Sequence, residues 1–287
     1  MCRFVVYQGQ PITVDMLTTQ PENSIIHQSF QSRLGEEPLN GDGFGLAWYV
    51  PALTDQPAVF RSIQPAWNDL NLQQVARVTE SHLVFAHVRA ATGDMDVSKA
   101  NCHPFTYGRF AFMHNGSVAD FYKVRRGWMR ELSDDAFNQI RGQTDSELLF
   151  SVFLDALKAI PKNDDLAEAI RCVIGKCEKS RIDRNISDPN FLNLAVTDGR
   201  QTVVTRFASA ETMPRSLYYA KGKRCFCRDE TFLMEPASRT KASSEDAPSI
   251  VVASEPLSDQ ELWEEVPPGQ LVRISEQGDF QVESLSV

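Results

Sequence analysis

Apolar runs that end in polar residues recur along the first half of the chain. CRFVVYQG at 2–9 is apolar and β-branched, which predicts a buried strand that ends at Gly9. The same pattern returns in FGLAWYV after a glycine-rich turn, in HLVFAHVRAAT at 82–92 and in RFAFMHNGSV at 109–118. Polar groups at the ends of adjacent strands can converge. The pattern therefore predicts a sheet whose strand ends share one polar site.

Helical spacing takes over near Asp145. In TDSELLFSVFLDALKAI the apolar residues recur at intervals of three and four, which predicts an amphipathic helix. Thr144 is placed to cap this helix, and Glu147 follows three residues later as in a capping box. A second helix is predicted across DLAEAIRCVIGKCEKSR, whereas PENSIIHQSF at 21–30 is expected to lead into a polar loop.

Strand patterns resume after the two helices. FLNLAVTDGRQTVVTRF predicts a hairpin with Asp198-Gly199 at its turn, and SLYYAKG and SIVVASEPL predict further strands. Strands, then helices, then strands again predict one α+β domain of stacked sheets and helices.

Composition and charge narrow the classes of function. The 287 residues are 42% hydrophobic and 23% charged, as in a globular protein, and the net charge is −9. No basic footprint for nucleic acid is present, so we expect no nucleic-acid partner. The chain has neither a secretory signal pattern nor the roughly 20 consecutive apolar residues that cross a bilayer. We therefore expect a cytoplasmic protein with no membrane partner.

The six cysteines are spread along the chain, which favours reduced thiols over a disulfide framework. Cys225 and Cys227 form a close pair, and Cys102 precedes His103, but neither group has a second pair at zinc-ligand spacing. We expect no metal site.

The cysteine behind the initiator methionine carries the first chemical signal. Methionine is normally removed when the second residue is small, so the mature chain would begin with the α-amine of Cys2. An α-amine titrates near ~7.7–8.0 and a thiol near ~8.5. One residue then holds a base beside a nucleophile.

Five segments in a fixed order give this cysteine its context. They are the N-terminal Cys2, HVRAAT with Arg89, NCHPF with His103, MHNG with Asn115 and TDSE with Asp145. Together they resemble the class II glutamine amidotransferases, which belong to the N-terminal nucleophile hydrolases. Further segments, among them SIIHQSF, NGDGFG and VVASEPL, extend the resemblance over nearly the whole chain. They are similar to the fungal amidotransferase subunits that degrade glutathione and, more distantly, to the ergothioneine-pathway γ-glutamyl amidohydrolases.

The resemblance implies a four-layer αββα sandwich. It also implies a single domain over 2–287, with a glutaminase core at about 2–150 and the remainder completing the same sandwich. No cofactor is implied. A partner subunit is possible, because the fungal subunit works in a complex.

The resemblance and the chemistry together suggest catalytic roles. Cys2 is expected to be the nucleophile, with its own amine as base. The Asn115 side-chain amide and the Gly116 backbone N–H are expected to form the oxyanion hole. His103 and His114 are expected to be structural, since the N-terminus already supplies a base, and Asp42 is expected to support Cys2 indirectly.

Three further residues are expected to bind the substrate. Arg89 offers a planar fork of donors suited to the α-carboxylate of a γ-glutamyl group. Asp145 matches the aspartate that binds the α-ammonium group in this family. Thr92 is a further candidate for substrate contact.

The expected reaction is cleavage of a γ-glutamyl amide bond in glutamine, glutathione or a related compound, which releases glutamate. Two alternatives stay open at this point. One is a glutaminase subunit that delivers ammonia to a separate synthase. The other is an inactive module that binds γ-glutamyl compounds or regulates a partner.

Overall fold

The computed structural model describes residues 2–34, 39–91, 96–161, 164–236, 248–259 and 261–286. Fifteen strands and seven α-helices lie within these residues. The helices are α1 (Asp15–Thr18), α2 (Ile25–Phe30), α3 (Leu70–Val78), α4 (Phe121–Glu131), α5 (Asp134–Phe137), α6 (Asp145–Ala159) and α7 (Leu166–Asp183). The strands are β1 (Arg3–Thr13), β2 (Phe44–Trp48), β3 (Ala58–Ser62), β4 (Glu80–Val88), β5 (Phe105–Tyr107), β6 (Phe110–Ser117), β7 (Phe191–Thr197), β8 (Thr202–Arg206), β9 (Tyr218–Gly222), β10 (Arg224–Arg228), β11 (Thr231–Glu235), β12 (Ser249–Ala253), β13 (Glu264–Glu265), β14 (Gln270–Ile274) and β15 (Phe280–Ser284).

Within the described ranges these strands form two large antiparallel sheets and one hairpin. The seven-stranded sheet has the order β13-β9-β12-β1-β4-β2-β3, and the six-stranded sheet has the order β15-β14-β8-β7-β6-β5. Strands β10 and β11 pair as a separate hairpin. Strands from the first 150 residues and strands from beyond residue 190 lie side by side in both sheets.

The alternation of β1 explains how the layers stack. Phe4 and Val6 face a core shared with residues of the six-stranded sheet, whereas Val5 and Tyr7 face a core shared with α1, α2 and α3. On the six-stranded sheet, Phe112 faces a third core built with α4, α6 and α7. Three apolar cores therefore separate four layers in the order α, β, β, α, which confirms the predicted fold.

Strand β1 corrects one boundary. The sequence predicted that the strand would end at Gly9, but pairing with β4 continues to Thr13, with a register shift between Gln8 and Ile12. A Cβ on Gly9 would lie 2.5 Å from the Cα of Ser249. Gly9 is therefore required by the close approach of β12, and the strand does not end there.

Candidate active site

Cys2 stands at the start of β1, beside the end of β4. Antiparallel pairing places Arg3 opposite Val88, which brings Cys2 next to the residues that follow β4. The Cys2 thiol donates to the carbonyl of Ala90, with sulfur and oxygen 3.6 Å apart. Burial raises the pKa of the Cys2 thiol, while the nearby Arg89 guanidinium opposes that rise. At neutral pH the thiol is therefore protonated, and its use as a nucleophile requires a base.

A small cavity of about 40 Å³ opens at Cys2. Five of the residues selected from the sequence line it, namely Cys2, Arg89, Asn115, Gly116 and Asp145. Cys2 directly precedes β1, Arg89 directly follows β4, Asn115 and Gly116 lie near the end of β6, and Asp145 begins α6. Thr92, the sixth, lies outside the described residues.

Arg89 is held in place by the glycine-rich turn before β2. Its backbone N–H donates to the Gly43 carbonyl at 2.8 Å, and its carbonyl accepts from the Asp42 N–H at 3.0 Å. The Asp42 carboxylate in turn accepts from the Ala91 N–H at 2.7 Å. Asp42 thus supports the segment whose Ala90 carbonyl contacts the Cys2 thiol.

The Arg89 guanidinium is buried. The residue is 3% exposed, and its side chain donates to the Asp42 carbonyl at 3.3 Å. Among the described residues, no carboxylate lies within ion-pair distance of Arg89. A buried charge is costly unless it is paired. The arrangement is therefore suited to an anionic ligand.

Asp145 supplies the opposite charge from the first turn of α6. One carboxylate oxygen accepts from the Val118 N–H at 2.8 Å and the other from the Ser146 N–H at 2.7 Å. In the described part of the chain it too has no ion-pair partner, and it is 9% exposed. An ionised carboxylate has about four acceptor positions, so it retains capacity for a cationic ligand.

Asn115 and Gly116 lie on β6, next to β7. The Asn115 amide nitrogen is 3.3 Å from Ser254 Oγ, and no described residue bonds to its amide oxygen. A Cβ on Gly116 would lie 1.9 Å from the Phe191 carbonyl oxygen. Glycine is therefore required at 116 by the neighbouring strand, as well as being suited to a close approach of substrate.

Two stacked histidines at the cavity, His87 and His103, are held neutral. His87 and His103 stack with ring centroids 4.0 Å apart, and burial lowers the pKa of both, to about 3 for His87. His103 lines the cavity, and neither ring nitrogen has a hydrogen-bond partner among the described residues. A histidine with so low a pKa is a weak base at neutral pH.

His114 also lines the cavity, and both of its nitrogens are engaged. Nε2 lies 2.9 Å from the Phe191 carbonyl oxygen, and Nδ1 lies 3.0 Å from Ser146 Oγ. This ring therefore ties β6 to β7 and to the first turn of α6.

Potential metal ligands are dispersed over the described part of the chain, and its helices are short or polar. No group of three or more histidine, cysteine or acidic side chains there is arranged to hold a metal ion. The Cys102 thiol instead points to the carbonyls of Ser62 and Ser98. Across the same described ranges, every helix is too short or too polar to cross a bilayer.

A larger cavity of about 350 Å³ lies beside Gln8 and Gly9 of β1. It is lined by residues such as Gln8, Tyr49, Arg109 and Arg200, and it contains none of the residues selected from the sequence. The residues selected from the sequence therefore share the smaller cavity, which Arg89 and Asp145 line together with Cys2.

The model of the family described as glutamine amidotransferases class-II matches residues 15–286 of this chain. The chain belongs to the class II glutamine amidotransferases. This finding confirms the family inferred from the ordered motifs, and it identifies the chain as an enzyme.

Two curated proteins are similar to this amidotransferase over almost its full length. Probable glutamine amidotransferase DUG3 of Saccharomyces cerevisiae is 38% identical, and the match covers 96% of this chain and 82% of the yeast protein. Gamma-glutamyl-hercynylcysteine sulfoxide hydrolase of Mycobacterium tuberculosis is 25% identical, with 97% and 94% covered.

A solved structure shares the fold of this amidotransferase. The glutamine aminotransferase class-II domain protein from Silicibacter pomeroyi superimposes with a TM-score of 0.66 over 99% of both chains, at 24% identity. The αββα layering is therefore that of a known class II structure.

Some features of this amidotransferase site were not selected from the sequence. The unpartnered ring of His103 was expected to be structural, yet it lines the cavity. Ser254 belongs to the VVASEPL segment, and only its contact with Asn115 reveals that it lies beside the site. In the sequence, VVASEPL is recognisable as a segment shared with the family, but its residue types do not show what Ser254 contacts.

Proposed function

We propose that this class II amidotransferase is a cysteine amidohydrolase that cleaves a γ-glutamyl amide bond and releases glutamate. One observation carries the proposal: a buried cation and a buried carboxylate, neither with an ion-pair partner among the described residues, line the same cavity as the Cys2 thiol. The names of the two curated relatives support it, since one is called a glutamine amidotransferase and the other a hydrolase of a γ-glutamyl compound.

Substrate binding follows from the two charges. A γ-glutamyl group carries an α-carboxylate and an α-ammonium at one end and the scissile amide at the other. Arg89 binds the carboxylate and Asp145 binds the ammonium, so each buried charge gains the counter-ion it lacks. Two fixed points then hold the amide beside Cys2, and such positioning supplies up to ~7–11 kcal/mol of a barrier in ideal intramolecular cases.

The nucleophile is activated by its own α-amine. Because burial raises the pKa of the Cys2 thiol, a proton must be removed before sulfur attacks. Removal of Met1 exposes an amine whose pKa near ~7.7–8.0 suits that task. The amine takes the thiol proton directly or through one water, and sulfur bonds to the amide carbon.

The negative charge that develops on the carbonyl oxygen is met by the Asn115 amide and the Gly116 N–H. Loss of one such donor typically lowers turnover by ~10²–10³-fold. The tetrahedral intermediate expels the leaving amine, which takes the proton from the α-ammonium group of Cys2. Water then attacks the γ-glutamyl thioester, which releases glutamate and restores the thiol.

The proposal also covers the compartment, the domain organisation and the partners of the protein. We propose a cytoplasmic protein with one domain over residues 2–287, active alone or with a partner subunit. Thr92 remains a candidate for substrate contact. Glutamine, glutathione and related compounds share the γ-glutamyl group that Arg89 and Asp145 would bind, so these two residues do not distinguish between them.

The test is glutamate release by the purified protein, offered glutamine and glutathione separately, with Cys2→Ala as control. We expect release from at least one donor by the wild type and none by the variant. Release of ammonia into an acceptor only when a synthase is present would favour the glutaminase-subunit alternative. Binding of γ-glutamyl compounds without release, by protein whose mass shows loss of Met1, would overturn the proposal in favour of a binding module.

A further inference from the structure

The residues that directly follow β12 touch both halves of the reaction centre. Ser254 and Glu255 are fully buried, and neither of them lines the cavity that Cys2 and Arg89 line. Glu255, however, pairs with Arg3, the residue next to the proposed nucleophile, and Ser254 contacts Asn115, the proposed oxyanion donor. We propose that Ser254 and Glu255 are positioning residues that align Cys2 with the oxyanion hole. This inference rests on the proposed function.

Glu255 acts on the nucleophile through Arg3. Its carboxylate accepts from Arg3 Nε at 2.7 Å, from the Arg33 N–H at 2.9 Å and from Ser32 Oγ. The side chains of Arg3 and Glu255 are 4% and 0% exposed, so this is a buried ion pair. Arg3 Nη1 donates to the Cys2 carbonyl oxygen at 2.9 Å. The ion pair therefore fixes the Cys2–Arg3 peptide, from which both the thiol and the α-amine project.

Ser254 acts on the oxyanion hole through Asn115. It is locked to β1 by two bonds of 3.0 Å, one from its N–H to the Phe4 carbonyl and one from the Phe4 N–H to its Oγ. The same Oγ lies 3.3 Å from the Asn115 amide nitrogen. The serine thus links the strand that carries the nucleophile to the strand that carries the oxyanion donor.

The polarity of this contact decides whether Asn115 can donate to an oxyanion. With the nitrogen facing Ser254, the amide oxygen is buried without a partner. After a 180° rotation of the amide, Ser254 Oγ accepts from the Phe4 N–H and donates to the Asn115 oxygen, which gives that oxygen the partner it lacks. The amide N–H bonds are then free for the oxyanion. We assign this second polarity to the working site, set by the Ser254 hydroxyl.

A double-mutant cycle tests the role of Ser254. We expect Ser254→Ala to lower kcat for glutamate release at least ~10-fold with KM within ~3-fold, because transition-state stabilisation is lost and substrate binding is kept. In an Asn115→Ala background the same change should have no further effect on kcat. Ser249→Ala is the matched control, since it removes a buried hydroxyl at the start of β12, bonded to Tyr7 in the middle of β1, and should leave kcat unchanged.

The role of Glu255 is tested with two variants, Glu255→Gln and Ser32→Ala. Ser32→Ala removes one hydrogen bond to the Glu255 carboxylate and leaves its ion pair with Arg3 in place. Both should lower kcat and keep KM. Wild-type kcat in Ser254→Ala or in Ser32→Ala, or an undiminished effect of Ser254→Ala when Asn115 is already alanine, would overturn the inference. Failure of the proposed function has a different signature, namely no glutamate release by wild-type protein, and the inference then falls with it.

Discussion

At the scale of single residues, Arg89 and Arg3 are two buried arginines with opposite relations to their surroundings. Arg3 is paired with Glu255, whereas Arg89 has no carboxylate partner among the described residues. Replacing a buried charge is harmless or stabilising when nothing is left unpaired, whereas breaking a buried pair destabilises by roughly 3–5 kcal/mol. The two residues should therefore respond differently to the same substitution.

Arg89→Met should abolish most activity while leaving the protein at least as stable. We expect kcat/KM to fall at least ~100-fold because the α-carboxylate loses its charge-assisted bonds, which corresponds to roughly 3 kcal/mol. Urea unfolding should show an unchanged or higher free energy of unfolding. Arg3→Met is the matched control and should destabilise strongly. A destabilised Arg89→Met protein would show that Arg89 serves the fold.

The proposed base makes a prediction about pH. The amine of Cys2 must be neutral to accept the thiol proton, so kcat/KM should rise with pH through an apparent pKa near ~7.7–8.0 and be lost below it. Burial lowers the pKa of His87 and His103, so no inflection near their usual range is expected. A pH–rate profile checks this point. A single inflection near ~6.5 would instead indicate a histidine base.

At the scale of elements, the start of α6 shows what local sequence predicts well. Thr144 caps the helix as expected, accepting from the Glu147 N–H at 3.1 Å. The capping-box role of Glu147 is wrong, because its carboxylate instead accepts from the N–H groups of Arg141 and Gly142. Spacing alone identifies a cap, but it does not show that the preceding loop folds back over the first turn.

Thr144→Ala should lower the free energy of unfolding by about 1 kcal/mol, since one backbone N–H of the first turn loses its acceptor. Thr144→Ser retains the hydroxyl and should restore most of that stability. Urea unfolding of the two variants measures the difference. An equal loss in both would mean that the threonine methyl, rather than the cap, accounts for the effect.

Other elements also differ in how well the local sequence predicts them. The helices at 145–159 and 166–183 and the hairpin around Asp198-Gly199 follow from periodicity and turn chemistry, and the structure contains them. Periodicity predicted no helix within PENSIIHQSF, but Ile25–Phe30 is helical and capped by the Ser24 side chain. That helix packs its isoleucines against the seven-stranded sheet, so tertiary burial stabilises an element too short to form alone.

At the scale of the whole molecule, the site depends on pairings that no single segment reveals. The motifs identified Cys2, Arg89, Asn115, Gly116 and Asp145, and the structure brings all five to one cavity. The bridge through Ser254 arises from contacts between segments more than a hundred residues apart, and the lack of an ion-pair partner for Arg89 and Asp145 among the described residues depends on the segments packed around them. Residue types and order along the chain carry no distances, which is why these features could not be predicted.

The interleaving of strands from the two halves of the chain predicts that neither half folds without the other. Strand β1 lies between β4 and β12, and β6 pairs with β7, so both sheets combine strands from the two halves of the chain. If residues 2–287 form one domain, a fragment of residues 2–150 should not fold alone, and the full chain should unfold in one cooperative transition. Circular dichroism and proteolysis of the fragment check this. A stably folded fragment would show that the glutaminase core is independent.

Buried neutral histidines should make the molecule sensitive to acid. The pKa of His87 is lowered to about 3 in the fold, against about 6.5 when unfolded, so the unfolded chain binds the proton first as pH falls. The contribution of neutral His87 to the free energy of unfolding is fully present above pH ~6.5. It decreases below that pH, by about 2 kcal/mol at pH 5. His87→Gln should flatten the change in urea-unfolding free energy between pH 7.5 and pH 5 by a similar amount. A pH dependence identical to that of the wild type would contradict the assignment.

The proposed reaction proceeds through a covalent γ-glutamyl thioester on an N-terminal Cys2. Its most direct test is peptide mass spectrometry on an acid-quenched reaction with the preferred donor. We predict a first peptide that begins at Cys2, lacks Met1 and carries one γ-glutamyl group that hydroxylamine removes. Turnover by protein that retains Met1, or a γ-glutamyl group on any other residue, would contradict the mechanism.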